Sequence, residues 1–215
     1  DAPANAAGAF VYHDSRQGGR NILFRNAGNW RFEDVTAATG LEVNNARHSY
    51  AASWEDFDND GDLDLYVAND YGPNCLYRND ASEGNGSHFT EIAESVNAQD
   101  RASGMSSGWG DYDGDGDLDL YVGNMFSSAG SRIATQSAFR PSSTPALRQT
   151  LQRFARGNTL LQNRGDGGFD DVSVAAGVTM GRWAWSSNFV DLNNDGWEDL
   201  LIANGMITGA DSGDL

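Results

Sequence analysis

The sequence predicts an all-β chain, a partial β-propeller of about three to four blades, and three observations predict it. A nine-residue loop of pattern D-x-[DN]-x-D-G-x-x-D occurs at 56–64, 111–119 and 191–199. Each loop runs into a short β-branched and aromatic stretch closed by Asn69, Asn124 or Asn204. A further stretch, Asn21–Asn26, is echoed at Asn74–Asn79 and Asn158–Asn163, each followed by a Gly-bearing turn and an aromatic strand. Four short strands to a period of about 50 residues is the signature of a propeller blade.

In chain order, residues 10–36 predict about three strands of a first blade: Phe10–Asp14, Asn21–Asn26 and Trp30–Thr36. Residues 48–93 predict a full blade with strands at Ser49–Trp54, Leu63–Asn69, Asn74–Arg78 and Phe89–Ala93. Alternation after the first loop sets Leu63, Leu65 and Val67 on one side and Asp64 and Tyr66 on the other. Residues 104–173 predict a second full blade interrupted by an insertion at 125–157, and 183–204 predict half a blade. An aromatic residue stands two positions before each loop: Trp54, Trp109 and Phe189.

The insertion accounts for the uneven loop spacing. Its first half, Met125–Ser143, is Ser-rich and reads as a loop. Its second half carries helix signals: Thr144 as cap, Pro145 at the first position, Leu147, Leu151 and Phe154 at helical spacing, and Gly157 as stop. With Arg148, Arg153 and Arg156 along it, this helix is either a docking element on the rim or a connection packed on its own blade.

The loops carry the chemistry. Alternating carboxylates converge on one point only if the backbone wraps around that point, and Gly at the sixth position permits the sharp turn. The expected ligands are Asp56, Asp58, Asp60 and Asp64 in the first loop and Asp111, Asp113, Asp115 and Asp119 in the second. In the third they are Asp191, Asn193, Asp195 and Asp199, and the carbonyls of Asp62, Asp117 and Trp197 complete the three shells. An all-oxygen set of that size suits Ca²⁺, with Mg²⁺ disfavoured by the high ligand count and pliable loop. A merely solvated acidic turn is the poorer reading, because two carboxylates about 4 Å apart repel by roughly 4 kcal/mol at an effective dielectric of 20. Asn193 removes one formal charge from the third loop and predicts weaker binding there. These are not EF-hands, since position 12 is Val67, Val122 or Ile202 where an EF-hand needs a bidentate Glu.

Composition excludes several classes. A net charge of −17 argues against a nucleic-acid partner. All 14 basic residues are Arg, a bias for which we have no physical account. The lone Cys75 excludes an internal disulfide framework and reads as a buried structural thiol. No apolar run approaches the ~18 residues of a membrane span. The start at Asp1, with neither Met nor a signal segment, reads as a processed or excised piece. Catalytic constellations are wanting: His13, His48 and His88 occupy unrelated repeat positions, and Ser106–Gly108 and Ser186-Ser187 lack a nucleophile-elbow context. Trp183, Trp185, Tyr71 and Tyr112 could stack on sugars, with Tyr71 in its Asp70–Pro73 turn the best-exposed candidate; for the Trp residues, at strand positions, inter-blade core is the better reading.

The motifs Trp109–Val122, Pro73–Asn79 and Asn163–Val172 carry a family resemblance. The chain resembles the FG-GAP/VCBS repeat family, the integrin-α-like β-propellers, and more narrowly the ASPIC/UnbV-type relatives of cartilage acidic protein. The resemblance implies a calcium-stabilised, non-catalytic propeller in a secreted, periplasmic or cell-surface protein serving adhesion, protein–protein interaction or complex assembly. The alternative it leaves open is a carbohydrate-binding propeller or the scaffold of a polysaccharide-active enzyme. Because roughly three blades' worth of strands fall short of the four to eight of closed propellers, further blades or a protein partner are expected on the open sheet edges, with a glycan as a further candidate ligand.

Overall fold

The computed structural model describes residues 14–81 and 86–205. The strand expected over 10–14 falls outside these residues, except for Asp14. Strands β1 (Phe24–Gly28) and β2 (Arg31–Asp34) form a first, two-stranded sheet. Strands β3 (His48–Glu55), β4 (Asp64–Asp70), β5 (Cys75–Asn79) and β6 (Phe89–Glu91) form a four-stranded antiparallel meander. A second meander comprises β7 (Gly104–Gly110), β8 (Asp119–Asn124), β9 (Thr159–Asn163) and β10 (Phe169–Asp171). Strands β11 (Ala184–Val190) and β12 (Asp199–Asn204) make the last pair. The chain is all-β, and among the described residues its helices lie in the insertion between β8 and β9.

The meanders superpose residue for residue in register. Leu65 lies opposite Tyr77 as Leu120 lies opposite Leu161, and Tyr66 opposite Leu76 as Tyr121 opposite Leu160. A bulge recurs at the same point of each first strand, at Tyr50, Met105 and Trp185. The tight hairpin between β1 and β2 turns through Asn29 and Trp30, both with φ near +50 to +60°, so Trp30 is a turn residue and not the strand start the sequence suggests.

Strand β4 is buried on both faces, which explains its nearly continuous hydrophobicity. Leu65 and Val67 pack with Leu41, Cys75, Tyr77 and Phe89 on one side. Tyr66 and Leu76 pack on the other with Phe57, Leu120, Val122, Leu161 and Phe169, under Trp109. The alternation read from the sequence holds within the strand, whereas Leu63 precedes it and is exposed. The second core joins one meander to the next and is aromatic-rich: Trp109 stacks on Phe57 at 6.3 Å and meets Tyr66 edge-on. This places Trp109 in the inter-blade core. Cys75 is buried in the other core, beside Leu65 and Val67, and burial pushes its thiol up to about 11.

Where first strands of neighbouring sheets meet, small side chains are required. The Ser53 and Ser107 hydroxyls lie 2.8 Å apart, and the Trp109 indole donates to Ser53. Ser106 bonds both Ser187 and the Ala184 carbonyl at 3.1 Å. A Cβ on Gly108 would approach the Ser187 carbonyl to 2.7 Å. The serine pairs are therefore packing elements of the inner strands.

The insertion contains two helices where the sequence suggested one. Helix α1 (Ser128–Ala134), capped by Ser127, lies in the segment read as a loop. Lacking an apolar period, it is stabilised by packing against the second helix. Helix α2 (Pro145–Arg156) has the expected bounds: Thr144 accepts the Leu147 N–H at 3.3 Å, and Gly157 at φ +100° ends it. It buries no residue fully, so Leu151 and Phe154 are only half-covered. Its attachment is polar: Arg153 pairs with the buried Asp100, between β6 and β7, and with Thr159 of β9, and Arg156 pairs with Asp171 of β10. The helix thus clasps its own blade.

Candidate metal centre

Each loop folds around the carboxylate of its first Asp. Asp56 accepts the Asp60 N–H at 3.1 Å through one oxygen and the Gly61 N–H at 3.0 Å through the other. Asp111 does the same with Asp115 and Gly116, both at 3.0 Å, and Asp191 with Asp195 and Gly196 at 3.1 and 2.9 Å. The turn needs a residue at φ near +90° at the sixth position, which Gly61, Gly116 and Gly196 supply. In all three loops the fifth-position Asp accepts the N–H of the seventh residue at 2.9 Å: Asp60 from Asp62, Asp115 from Asp117, Asp195 from Trp197. That bond turns the seventh residue's N–H inward along the wrapped backbone.

The ninth-position Asp ties the loop to its blade. Asp64 accepts Phe57 N–H at 3.2 Å and Asn79 N–H at 2.7 Å, and Asp119 accepts Tyr112 N–H at 3.1 Å and Asn163 N–H at 2.8 Å. Asp199 accepts Leu192 N–H at 3.2 Å. Burial pushes the carboxyls of Asp64 and Asp119 up to about 7, against the lowering effect of those N–H donors and with added repulsion from neighbouring aspartates. Burial also raises Asp58, reinforced by the charges of Asp60 and Asp56.

Among the described residues, two groups of carboxylates approach within 4.8 Å of one another: Asp56, Asp58 and Asp64, and Asp111, Asp113 and Asp115. Asp58 Oδ1 and Asp113 Oδ1 are buried and take part in no hydrogen bond. An anionic oxygen in that position is strongly disfavoured unless a cation compensates it. The donor set is oxygen only, and the residues present fit a hard divalent cation. Asp60 and Asp119 sit in the same loops but outside these closest groups, and Asp62 and Asp117 donate their N–H groups to Asp60 and Asp115. The third loop keeps the same backbone bonds, but Asn193 donates its amide to Asp195 at 2.8 Å, and Asn193, Asp195 and Trp197 are exposed.

Several supporting residues escaped the sequence reading. Gln162 donates to Asp113 at 2.5 Å, Asn59 bridges to Asp117 of the neighbouring loop at 3.1 Å, and Asn163 Nδ2 reaches the Phe57 carbonyl at 2.8 Å. The recurrence of Asn79 and Asn163 was visible in the repeat, but not their role as donors to Asp64 and Asp119. The sugar-stacking candidates are dispersed. Tyr71 is half-buried and edge-on to His48 at 5.8 Å, Tyr112 lies in the second loop, and Trp183 and Trp185 sit 6.4 Å apart with Trp185 exposed.

Meanders of this register, each with a wrapped acidic loop between its first two strands, define a class of repeat. The FG-GAP-like repeat family matches residues 9–67, 56–122 and 151–202, and the chain belongs to it. Its relatives include cartilage acidic protein 1 of Mus musculus, 27% identical over 191 residues, and that of Homo sapiens, 26% identical over 194 residues, each covering 88% of this chain. The Xenopus tropicalis protein of the same name is 25% identical over 94% of the chain. The chain spans about a quarter of the length of these relatives. Among the described residues no helix is long and apolar enough to cross a membrane.

Proposed function

We propose that this chain is a calcium-binding, non-catalytic propeller module for protein–protein interaction, adhesion or complex assembly outside the cytoplasm. The observation that carries the reading is the pair of buried, unbonded carboxylate oxygens, Asp58 Oδ1 and Asp113 Oδ1, each facing a group of aspartates in a loop whose own N–H groups are already engaged. Ca²⁺ would be held by Asp56, Asp58, Asp60 and Asp64 with the Asp62 carbonyl, and by Asp111, Asp113, Asp115 and Asp119 with the Asp117 carbonyl. The third site, Asp191, Asn193, Asp195 and Asp199 with the Trp197 carbonyl, is the weaker one. Bound cations would fix the turn that launches β4, β8 and β12, so the metal acts on the fold and through it on the surfaces the blades present. The blades are assigned to 10–36, 48–93, 104–173 and 183–204, and the open sheet edges are where a protein partner or further blades attach. Membership of the FG-GAP-like family supports a binding role over a reaction. Calorimetric titration of chelator-stripped protein tests the proposal: two tight calcium equivalents and a weaker third are expected, with one tight equivalent lost in Asp58→Ala and another in Asp113→Ala. Fewer than two equivalents in the parent chain would refute it.

A further inference from the structure

The ninth-position aspartates of the first two loops, Asp64 and Asp119, are joined by a short chain of hydrogen bonds. The Phe57 N–H donates to Asp64 at 3.2 Å, and the Phe57 carbonyl accepts from Asn163 Nδ2 at 2.8 Å. The Asn163 N–H then donates to Asp119 at 2.8 Å. Phe57 and Asn163 are 1% and 3% exposed, so water does not compete for these bonds. Both amide hydrogens and the amide oxygen of Asn163 are engaged, since Nδ2 also meets the Leu118 carbonyl at 3.2 Å and Oδ1 accepts the Gly165 N–H at 3.1 Å. Asn79, the counterpart of Asn163, makes the same bonds to its own loop, donating N–H to Asp64 and Nδ2 to the Leu63 carbonyl. The bond from Asn163 to Phe57 is an additional one, and it crosses from one sheet to the loop of the sheet before.

A second link runs between the loop tips. Asn59, fourth in the first loop, donates to Asp117, seventh in the second, at 3.1 Å. The same two positions meet between the second and third loops, where a Cβ on Gly114 would lie 3.6 Å from the Trp197 ring. The fourth residue is left-handed in each loop, with φ of 59° at Asn59, 73° at Gly114 and 60° at Asn194. The wrapped turn itself therefore brings the fourth residue of one loop to the seventh of the next.

We propose that Asn163 and Asn59 are positioning residues that couple the first two loops, so that calcium at either one raises the affinity of the other. The inference rests on the calcium reading above. Repulsion of Asp58 by Asp60 and Asp56 opposes the wrapped turn until a cation offsets it. Once Asp56 and Asp58 are drawn together, the Phe57 peptide between them is fixed, and so is Asn59 beside them. Phe57 and Asn59 in turn hold Asn163 and Asp117, which support Asp119 and supply the seventh-position carbonyl of the second loop. Part of the ordering that the second loop needs is then already in place, and preorganisation of that kind appears as affinity. Long-range electrostatics act the other way, because one bound cation makes the neighbouring site less negative. At an ionic strength of about 0.15 M that repulsion is screened beyond roughly 8 Å, whereas buried hydrogen bonds in direct contact are not. The contacts therefore set the sign.

Calorimetric calcium titration at that ionic strength tests the coupling, in a parent carrying Asp191→Ala to silence the third loop. Asp113→Ala reports the binding constant of the first loop alone, and Asp58→Ala that of the second. The overall constant for filling both loops should exceed the product of these two by about fivefold or more, the usual range of a coupling between sites. Asn163→Ala with Asn59→Ala, measured in the same three backgrounds, should bring the ratio close to unity while two equivalents still bind. A merely structural role would weaken each loop and leave the ratio unmoved. Asn59→Ala alone, at an exposed position, should lower the ratio even where Asn163→Ala fails to fold. A ratio of unity in a parent that binds two equivalents, or one that survives loss of both side chains, would overturn the coupling and leave the calcium reading standing. Fewer than two equivalents in the parent would overturn both.

Discussion

Asp58 and Asp64 occupy the same loop but do different work. Asp64 accepts two backbone N–H bonds and is part of the fold with or without metal. Asp58 is held against the charges of Asp56 and Asp60, and its buried Oδ1 has no hydrogen-bond partner. Asp58→Asn should therefore change sign with conditions. In chelator it relieves repulsion and should leave stability unchanged or raised by up to about 1 kcal/mol; in calcium at 100 times the dissociation constant it forfeits about 2.7 kcal/mol. Urea unfolding in both buffers measures the difference, and equal effects in the two would show that the loop holds no cation. This loop was the most legible part of the chain, because its nine residues carry their own turn and ligands. The supports were not legible: Asn163 reaches Phe57 across more than one hundred residues, and nothing local in the sequence marks such a bond.

At the scale of elements, local signals again decided what could be read. The bounds of α2 follow from Thr144, Pro145 and Gly157. Helix α1 has a cap but no apolar stripe, and its stability comes from α2, so the Ser-rich sequence hid it. The clasp of α2 onto its blade was equally hidden, since Arg153 meets Asp100 from 53 positions away. Asp100 has a fully buried side chain and also accepts from Asn124 at 2.9 Å and Thr159 at 2.7 Å. Arg153→Met leaves that charge without its cation and should cost about 3–5 kcal/mol, read from the urea midpoint. The second clasp should be acid-sensitive. Burial would raise the Asp171 carboxyl, but the Ser173 hydroxyl and the Arg156 guanidinium outweigh it and hold the carboxyl below its ordinary 3.8. A depressed folded value means that the stabilisation is complete above about pH 5, one unit past the unfolded value, and is lost as pH falls through the folded one. The stability gap between the parent and Asp171→Asn should accordingly close as pH falls below the unfolded value of 3.8; a gap that stays constant would assign the clasp no role.

The described residues form two four-stranded sheets flanked by two two-stranded sheets. The strands after the loops were legible because they repeat an alternating apolar pattern closed by Asn and the loops set their phase. The strand count of the first sheet was less so, because its inner pair has no counterpart among the described residues. Stability at this scale depends on the loops, which sit between the first two strands of each of the last three sheets; the first of them reaches the inter-blade core through Phe57. Urea unfolding of the chain in saturating calcium and in excess chelator tests that dependence most directly. Two sites filled at 100 times their dissociation constants predict a loss of about 5 kcal/mol on chelation, with the unfolding midpoint shifted accordingly. Superimposable curves in the two buffers would contradict the account.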